Sequence, residues 1–232
     1  MTRFLTFPII ALSFLVTSCG DDSTAPSVLP LPEPGSFAAT VTNQFFPLTP
    51  GTTFFYQNTN GVETNTVEVL DETKTILGIT ATVVHDQVFT DGELSEDTFD
   101  WYAQDGDGNV WYLGEDSREI SNSQVVSTEG SWEAGVNGAE AGIIMWADPA
   151  AHVGEQYRQE FSKDVAEDLG KVVAVNQNVQ VPFGSLAGCV KTEDRSAIES
   201  GVEDKFYCPG IGPALEAGAG TDHNELVDVA GP

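Results

Sequence analysis

The amino-acid sequence predicts an all-β fold, an antiparallel sandwich or barrel. The first observation is a succession of short runs rich in β-branched and aromatic residues, each bounded by turn-forming residues. The second is the turn chemistry itself, because Asn60-Gly61 and Asp91-Gly92 are strong hairpin signals between such runs. The third is that no period of about 20–50 residues repeats, which argues against a solenoid or a propeller.

The predicted strands follow one another closely along the chain: 52–57, 62–70, 75–79, 80–90, the two arms of a hairpin within 97–116, a strand pair within 117–128, 143–146, 157–161, 172–181, 188–192 and 203–207. Residues 130–142 are rich in glycine and predict a long loop that holds Trp132. Residues 165–170 suit one helical turn, but Gly170 and the β-branched run after it argue against a longer helix.

The hairpin at residues 97–116, with the sequence DTFDWYAQDGDGNVWYLGED, has the densest aromatic content of the chain. Pairing Gln104 with Asn109 across the turn gives the cross-strand pairs Trp101 with Tyr112 and Tyr102 with Trp111. Because strand side chains alternate between faces, one face is predicted to be core: Phe99, Trp101, Ala103, Val110 and Tyr112. The other face combines aromatic rings with carboxylates: Thr98, Asp100, Tyr102, Gln104, Trp111 and Glu115.

The N-terminus carries a predicted export signal at residues 1–18, with one basic residue, Arg3, before an apolar run too short to span a bilayer. It ends in Val16-Thr17-Ser18-Cys19, which resembles the bacterial lipobox. The resemblance implies cleavage before Cys19, acylation of that residue and a stable membrane anchor. Gly20 in place of aspartate then favours the outer membrane. The alternative is an ordinary secretory leader with an incidental cysteine.

Residues 19–37 are rich in proline, serine and aspartate and predict a flexible tether, so a single β-domain is expected at 38–232. The chain carries a formal charge of −27. That charge argues against a nucleic-acid partner, which requires a basic surface, and disfavours electrostatic docking on anionic lipid.

Two cysteines remain when Cys19 is acylated. An antiparallel pairing of 188–192 with 203–207 puts Cys189 opposite Cys208, within a residue of register. Export to an oxidising compartment then predicts a disulfide, provided that the two Cα atoms lie within about 7 Å. The alternative is a pair of buried free thiols.

Two segments resemble known proteins. DWYAQDGDGNVWYLGED and GSWEAGVNGAEAGIIM are similar to an uncharacterised group of secreted bacterial lipoproteins. VQVPFGSLAGCVKTED and KFYCPGIGPAL resemble the last hairpins of antiparallel half-barrel lipoproteins, although Leu186 replaces the usual phenylalanine and Pro213 interrupts the second phrase. The resemblance implies an antiparallel β-barrel or strongly curved half-barrel, calycin-like or lipoprotein-carrier-like, and implies no activity.

The turn at residues 105–109 suggests a calcium site. Asp105, Asp107 and Asn109 supply oxygen ligands at positions 1, 3 and 5 of a calcium loop, and Asp116 occupies position 12. The flanking runs are strands, however, and aspartate and glycine also serve as ordinary turn residues. Calcium is the one cofactor that the sequence suggests.

The mixed face of the hairpin suggests a ligand platform formed by four residues: Asp100, Tyr102, Trp111 and Glu115. The rings offer stacking surface, and the carboxylates accept hydrogen bonds. Asp100 and Glu115 also have the residue types of a glycosidase acid/base pair. The alternative is cross-strand aromatic packing with solvated acids. The three histidines are scattered, which argues against a zinc site.

These observations favour a lipid-anchored envelope protein that binds a small or lipidic ligand, or an envelope partner. One alternative is an envelope hydrolase that uses Asp100 and Glu115. Another is a purely structural surface lipoprotein, in which the acidic surface is the function and no concave pocket exists. Motifs for nucleotide binding, zinc proteolysis and serine hydrolysis are absent from the sequence.

Overall fold

The computed structural model describes residues 26–198, 200–218 and 222–232. The predicted leader, Cys19 and the first part of the predicted tether lie outside the described residues. The described part is all-β and antiparallel, which confirms the predicted fold class. No helix in these ranges is long and apolar enough to cross a membrane.

The described chain forms sixteen strands: β1 (Thr53–Asn58), β2 (Glu63–Ile76), β3 (Ile79–Thr90), β4 (Glu93–Gln104), β5 (Val110–Asp116), β6 (Glu119–Ser121), β7 (Gln124–Ser127), β8 (Trp132–Glu133), β9 (Glu140–Met145), β10 (Gln156–Arg158), β11 (Glu160–Phe161), β12 (Asp168–Val181), β13 (Gly184–Ser196), β14 (Glu203–Cys208), β15 (Gly212–Ala217) and β16 (His223–Ala230). Two short 3-10 helices are present, Pro34–Ser36 and Pro149–His152.

Thirteen strands curl into a nearly closed antiparallel barrel in the order β10-β12-β13-β14-β15-β16-β1-β2-β3-β4-β5-β9-β11. The two end strands are consecutive in the chain and are separated only by Gln159. Tyr157 pairs with Gly170 of β12, whereas Glu160 pairs with Ala141 of β9. The segment 156–161 therefore forms the seam that closes the barrel.

The predicted hairpin exists, but its register differs from the prediction. The observed pairs are Tyr102 with Tyr112, Ala103 with Trp111 and Gln104 with Val110. The turn is longer than expected because the Asp105 N–H donates to the Asn109 carbonyl at 2.9 Å, so Asn109 belongs to the turn. A register shift beyond Tyr112 then pairs Trp101 with Gly114.

This register changes which side chains share a face. Tyr112 joins Asp100 and Tyr102, whereas Trp111 joins Trp101 and Ala103. The prediction that Trp101 and Tyr112 share one core face was therefore wrong, and so was the prediction that Trp111 shares a face with Asp100. Both faces are largely buried, because a barrel encloses one face and other segments cover the second.

The N-terminal part of the described chain helps to cover the hairpin. The Ala38 N–H donates to the Gln104 carbonyl at 2.8 Å. Leu31 and Phe37 pack against the core cluster that contains Trp101 and Trp111. Residues 26–37, which the sequence assigned to the tether, thus contact the barrel.

Other local predictions have mixed outcomes. The strand pair at 117–128 is present as β6 and β7. The glycine-rich loop contains one short strand, β8, which includes Trp132 and pairs with β5. Residues 165–170 form no helical turn, since Ala166 bridges to Ser162 and β12 begins at Asp168.

The predicted disulfide is confirmed. Cys189 and Cys208 lie beside the register pair of Val190 with Tyr207, and their Cα atoms are 4.1 Å apart. Neither cysteine is exposed to solvent. The bridge therefore joins β13 to β14 within the core.

Candidate ligand cavity in the barrel interior

The interior of the barrel is both aromatic and acidic. The chain has five tyrosines, and each has a phenol pKa raised above its ordinary value, first of all by burial: Tyr56, Tyr102, Tyr112, Tyr157 and Tyr207. Carboxyl groups lie among them, and they add to the rise in phenol pKa. The phenols therefore remain neutral hydrogen-bond donors at neutral pH.

A partly enclosed cavity of about 280 Å³ opens among these side chains. Its aromatic wall includes Phe46, Tyr102 and Tyr207, and the Phe46 ring lies 5.0 Å from the Tyr102 ring in an edge-on contact. Phe46 is positioned by the segment 41–48, whose ends are joined by a bridge between Val41 and Leu48. The ionisable groups that line the cavity come from four strands: Asp86, Asp100, Lys205 and Glu216.

Asp100 is fixed by a neighbouring phenol. The Tyr112 hydroxyl donates to Asp100 Oδ1 at 2.5 Å, and the Tyr112 ring stacks on Tyr102 at 4.8 Å. Burial raises the pKa of Asp100 to about 6, and Glu96 adds to the rise, whereas the Tyr112 hydrogen bond opposes it. Asp100 is thus mostly ionised at neutral pH and becomes protonated in mild acid.

Asp86 is surrounded by acids, and none of the described groups that shift its pKa is a cation. Burial raises its pKa well above the ordinary value, and the nearby carboxyls of Asp100, Glu96 and Glu216 raise it further. Its Oδ2 accepts a long hydrogen bond of 3.5 Å from the Asn65 amide nitrogen. Asp86 Oδ1 and Asn65 Oδ1 are buried acceptors without a donor.

The single lysine of the cavity is shared among three carboxylates. Lys205 Nζ lies 3.5 Å from Glu203 Oε2, 3.7 Å from Glu216 Oε1 and 3.8 Å from Asp194 Oδ2. Burial disfavours its charge, but the three acids outweigh burial and raise the pKa of Lys205. The pKa of Glu216 is also raised, by burial, because each acid receives only part of one ammonium's stabilisation.

Two further buried acids, Glu115 and Glu160, lie near Asp100. Asp100 faces Glu115 across the β4–β5 pair, and burial and then Asp100 raise the pKa of Glu115 well above its ordinary value. Burial raises the pKa of Glu160 to about 8; Asp168 adds to the rise and the Trp132 indole opposes it. Glu115 lines a different cavity, of about 440 Å³, which also includes Trp132.

The structure therefore brings together part of the predicted platform. Asp100 and Tyr102 line the 280 Å³ cavity, and Glu115 faces Asp100 but opens into the second cavity. Trp111 does not belong to the site, because its indole N–H donates to Asp105 at 2.8 Å on the other face.

Several residues of the cavity were not predicted from the sequence, among them Phe46, Asn65, Asp86, Lys205, Tyr207 and Glu216. Asp86 lies on β3, directly before the hairpin in sequence, whereas Lys205, Tyr207 and Glu216 lie on the distant strands β14 and β15. Asp86 stands between His85 and Gln87, and Lys205 follows Asp204, so both positions read as an ordinary solvated strand face. No local pattern in the sequence separates these positions from solvated ones.

The structure does not support the calcium interpretation of the turn. Asp105 accepts from the backbone N–H groups of Asp107 and Asn109, from the Asn109 amide nitrogen and from the Trp111 indole, at 2.8–3.0 Å. Asn109 thus turns a donor, not an oxygen ligand, toward Asp105. Its Oδ1 accepts from the Ala147 N–H at 3.0 Å. The three residues build a turn and do not converge on a cation.

Histidines and metal ligands give no alternative site in the described ranges. His85 Nε2 lies 2.7 Å from Asp97 Oδ1, and its ring stacks on Phe99 at 4.3 Å. His85 therefore has a hydrogen-bond partner, and its side chain lies on the face of β3 opposite Asp86. No group of three or more histidine, cysteine, aspartate or glutamate side chains in this part of the chain is arranged to hold a metal ion.

Comparison of the chain with protein-family models, with curated proteins and with solved structures found no match.

Proposed function

We propose that the protein is a lipid-anchored component of the bacterial cell envelope whose barrel binds a small polar ligand in the 280 Å³ cavity. Acylated Cys19 is the anchor, and the outer membrane is the proposed location, on its periplasmic or surface side. The lipobox-like sequence Val16-Thr17-Ser18-Cys19 is the main support for this location. The buried Cys189–Cys208 disulfide gives it weak support, because disulfides persist in oxidising compartments.

The single observation that supports binding is the cavity with its polar groups. Ligand pockets span about 300–1,000 Å³ and combine apolar walls with a few placed polar groups. This cavity is slightly smaller than that range and has carboxyls, phenols and amides on its wall. Its size and polarity favour a compact, hydrogen-bonding ligand over an acyl chain. The purely structural alternative expected no concave pocket.

The test uses the full chain, expressed with its leader in a bacterial host and purified in detergent. Native mass spectrometry and thermal-shift screening against amines, sugars, amino acids and fatty acids are expected to reveal a small polar ligand. Val67→Phe fills the cavity and is expected to abolish binding. Val62→Phe is the matched control, since Val62 is 44% exposed outside the cavity. Absence of any ligand that Val67→Phe displaces would refute the proposal.

The anchor has its own test. Cys19→Ala is expected to move the protein from the membrane fraction to the soluble fraction, and mass spectrometry of the wild-type N-terminal peptide is expected to show acyl chains, such as palmitate, on Cys19. Soluble wild-type protein with an unmodified Cys19 would contradict the proposed anchor and leave the cavity proposal untouched.

One observation favours the second candidate, an envelope hydrolase. Asp100 and Glu115 face each other on neighbouring strands, and both carboxyls have raised pKa values, as one member of a glycosidase pair requires. Hydrolysis of aryl glycosides that is abolished by Asp100→Asn and by Glu115→Gln would support this candidate. Activity that survives either substitution would remove it.

A further inference from the structure

We infer that the ligand of the 280 Å³ cavity is a small organic cation, a protonated amine or a quaternary ammonium, that pairs with Asp86. This inference rests on the proposed binding function and narrows the ligand class. Three features of the cavity support it: its uncompensated charge, its unpaired acceptor oxygens and its aromatic wall.

The charge of the cavity is unbalanced. The acids Asp86, Asp100 and Glu216 line it, against one lysine, Lys205. The Lys205 ammonium lies within 4 Å of the carboxyls of Glu216 and two further acids. It therefore stabilises those carboxylates and is not among the groups that shift the pKa of Asp86. Burying an ionised carboxyl without a counter-charge is costly. A ligand cation supplies the counter-charge that the described side chains do not.

The unpaired polar atoms point to the same ligand class. Asp86 Oδ1 and Asn65 Oδ1 are both acceptors, both are buried and neither has a donor. Both residues line the cavity. A protonated amine carries N–H donors and no acceptor, whereas a quaternary ammonium has no N–H donor and would supply only the counter-charge. A ligand that carried an anionic group would instead bring further acceptors to a wall that already has too many.

The aromatic wall suits a cation as well. The rings of Phe46, Tyr102 and Tyr207 border the same space, with Phe46 to Tyr207 at 6.2 Å and Phe46 to Tyr102 at 5.0 Å between ring centroids. A ring face attracts a cation, and the attraction strengthens where water is excluded. The rings and Asp86 therefore provide an aromatic wall and an anionic partner for one positive charge.

Binding of a cation is linked to proton release. The groups that face Asp86 are the acids Asp100 and Glu96 of β4 and Glu216 of β15, the phenols of Tyr56 and Tyr102, and the Asn65 amide of β2. Lys205 lines the same cavity but lies beside Glu216. All of these acids disfavour the charge of Asp86 in the free protein. A bound cation stabilises the ionised carboxyls, so affinity is expected to rise with pH, and protons are expected to leave on binding at any pH where the free protein holds these carboxyls protonated.

The experiment is isothermal titration of the full chain in detergent and 150 mM salt with 2-phenylethylammonium and choline, each against a neutral isostere, 2-phenylethanol or 3,3-dimethylbutanol. We expect each cation to bind at least about tenfold more tightly than its isostere. Asp86→Asn is expected to remove most of that preference. Asp71→Asn is the control, because it removes the same charge from an exposed site. Titration of the wild type in two buffers of different ionisation enthalpy measures the released protons and needs no variant.

The outcomes separate the two claims. Equal binding of cation and isostere, blocked by Val67→Phe, would overturn the cation inference and keep the cavity as a binding site. Cation binding that Asp71→Asn weakens as much as Asp86→Asn would reflect the overall charge of −27 and would also overturn it. No binding of either probe, together with no hit in the ligand screen, would refute the proposed function itself.

Discussion

The acidic interior makes a sharp prediction for Glu160→Gln. Glu160 is 6% exposed, and its pKa is raised from 4.5 to about 8. Because the folded protein holds this proton more tightly than the unfolded chain does, the stabilising contribution is complete below pH 4.5 and is lost as the pH rises to about 8. At about 1.4 kcal/mol per pH unit, the full loss is about 5 kcal/mol, of which about 4 kcal/mol falls between pH 5 and pH 8.

The assay is urea unfolding at pH 5, 6.5 and 8, followed by tryptophan fluorescence. Glutamine keeps the shape but cannot ionise, so Glu160→Gln is expected to flatten the pH dependence and to exceed the wild type in free energy of unfolding at pH 8. Glu140→Gln on β9 is the control, since Glu140 is exposed. A Glu160→Gln variant with the wild-type pH dependence, or one less stable than the wild type at pH 8, would show that the Glu160 carboxyl does not carry a raised pKa in the folded protein.

Three further predictions concern stability, and each is measured by urea denaturation. Replacing both disulfide cysteines by serine is expected to cost about 3 kcal/mol, because the bridge spans a sequence separation of 19 residues. Gly142→Ala is expected to cost about 1–3 kcal/mol, because its Cβ would lie 2.5 Å from the Arg158 carbonyl oxygen at the barrel seam. Asp105→Ala leaves the Trp111 indole without its acceptor and is expected to cost about 1–3 kcal/mol, while added calcium leaves the wild-type stability unchanged.

The glycine and aspartate substitutions each have a matched control. Gly35→Ala adds the same methyl group where nothing lies within 4 Å, so it is expected to be neutral. Asp107→Ala removes an exposed carboxyl from the same turn as Asp105. A rise in stability with calcium would revive the ion-binding turn. A neutral Gly142→Ala would mean that the seam is looser than its backbone contacts indicate.

Most strands and turns were predictable because their chemistry is local, although β15 and β16 were not among the predicted strands and β2 runs on through the predicted break between 62–70 and 75–79. Asn60-Gly61 marks the turn that joins β1 to β2, and Asp91-Gly92 marks the turn that joins β3 to β4. The disulfide was also predictable, since the two flanking runs place Cys189 and Cys208 near one another in any antiparallel pairing. Neither conclusion needs knowledge of the barrel.

The hairpin register was not predictable from alternation alone. It depends on the Asp105 side chain, which gathers four donors and extends the turn through Asn109. One added turn residue moves Tyr112 to the other face. No count of apolar and polar positions reveals that a side chain will organise its own loop in this way.

The cavity was harder still, because polar strand positions are ordinarily taken to face water. Here Asp86, Asp100 and Lys205 face the inside of a nearly closed barrel, while Trp101 is buried on the other face. Which face is enclosed depends on closure at the seam and on the covering segments, and both are long-range features. Sequence periodicity therefore separates the faces but does not say which one encloses the cavity.

The interior acids lie near one another without enough cationic charge to balance them, and we propose that a ligand cation supplies it. The most direct test is a carbon-13 NMR titration of the aspartate carboxyls with and without 2-phenylethylammonium. We expect the pKa of Asp100 to be about 6 in the free protein, the pKa of Asp86 to be raised as well, and both to fall when the cation binds. Ordinary aspartate pKa values in the free protein, with no change on addition of the cation, would contradict it.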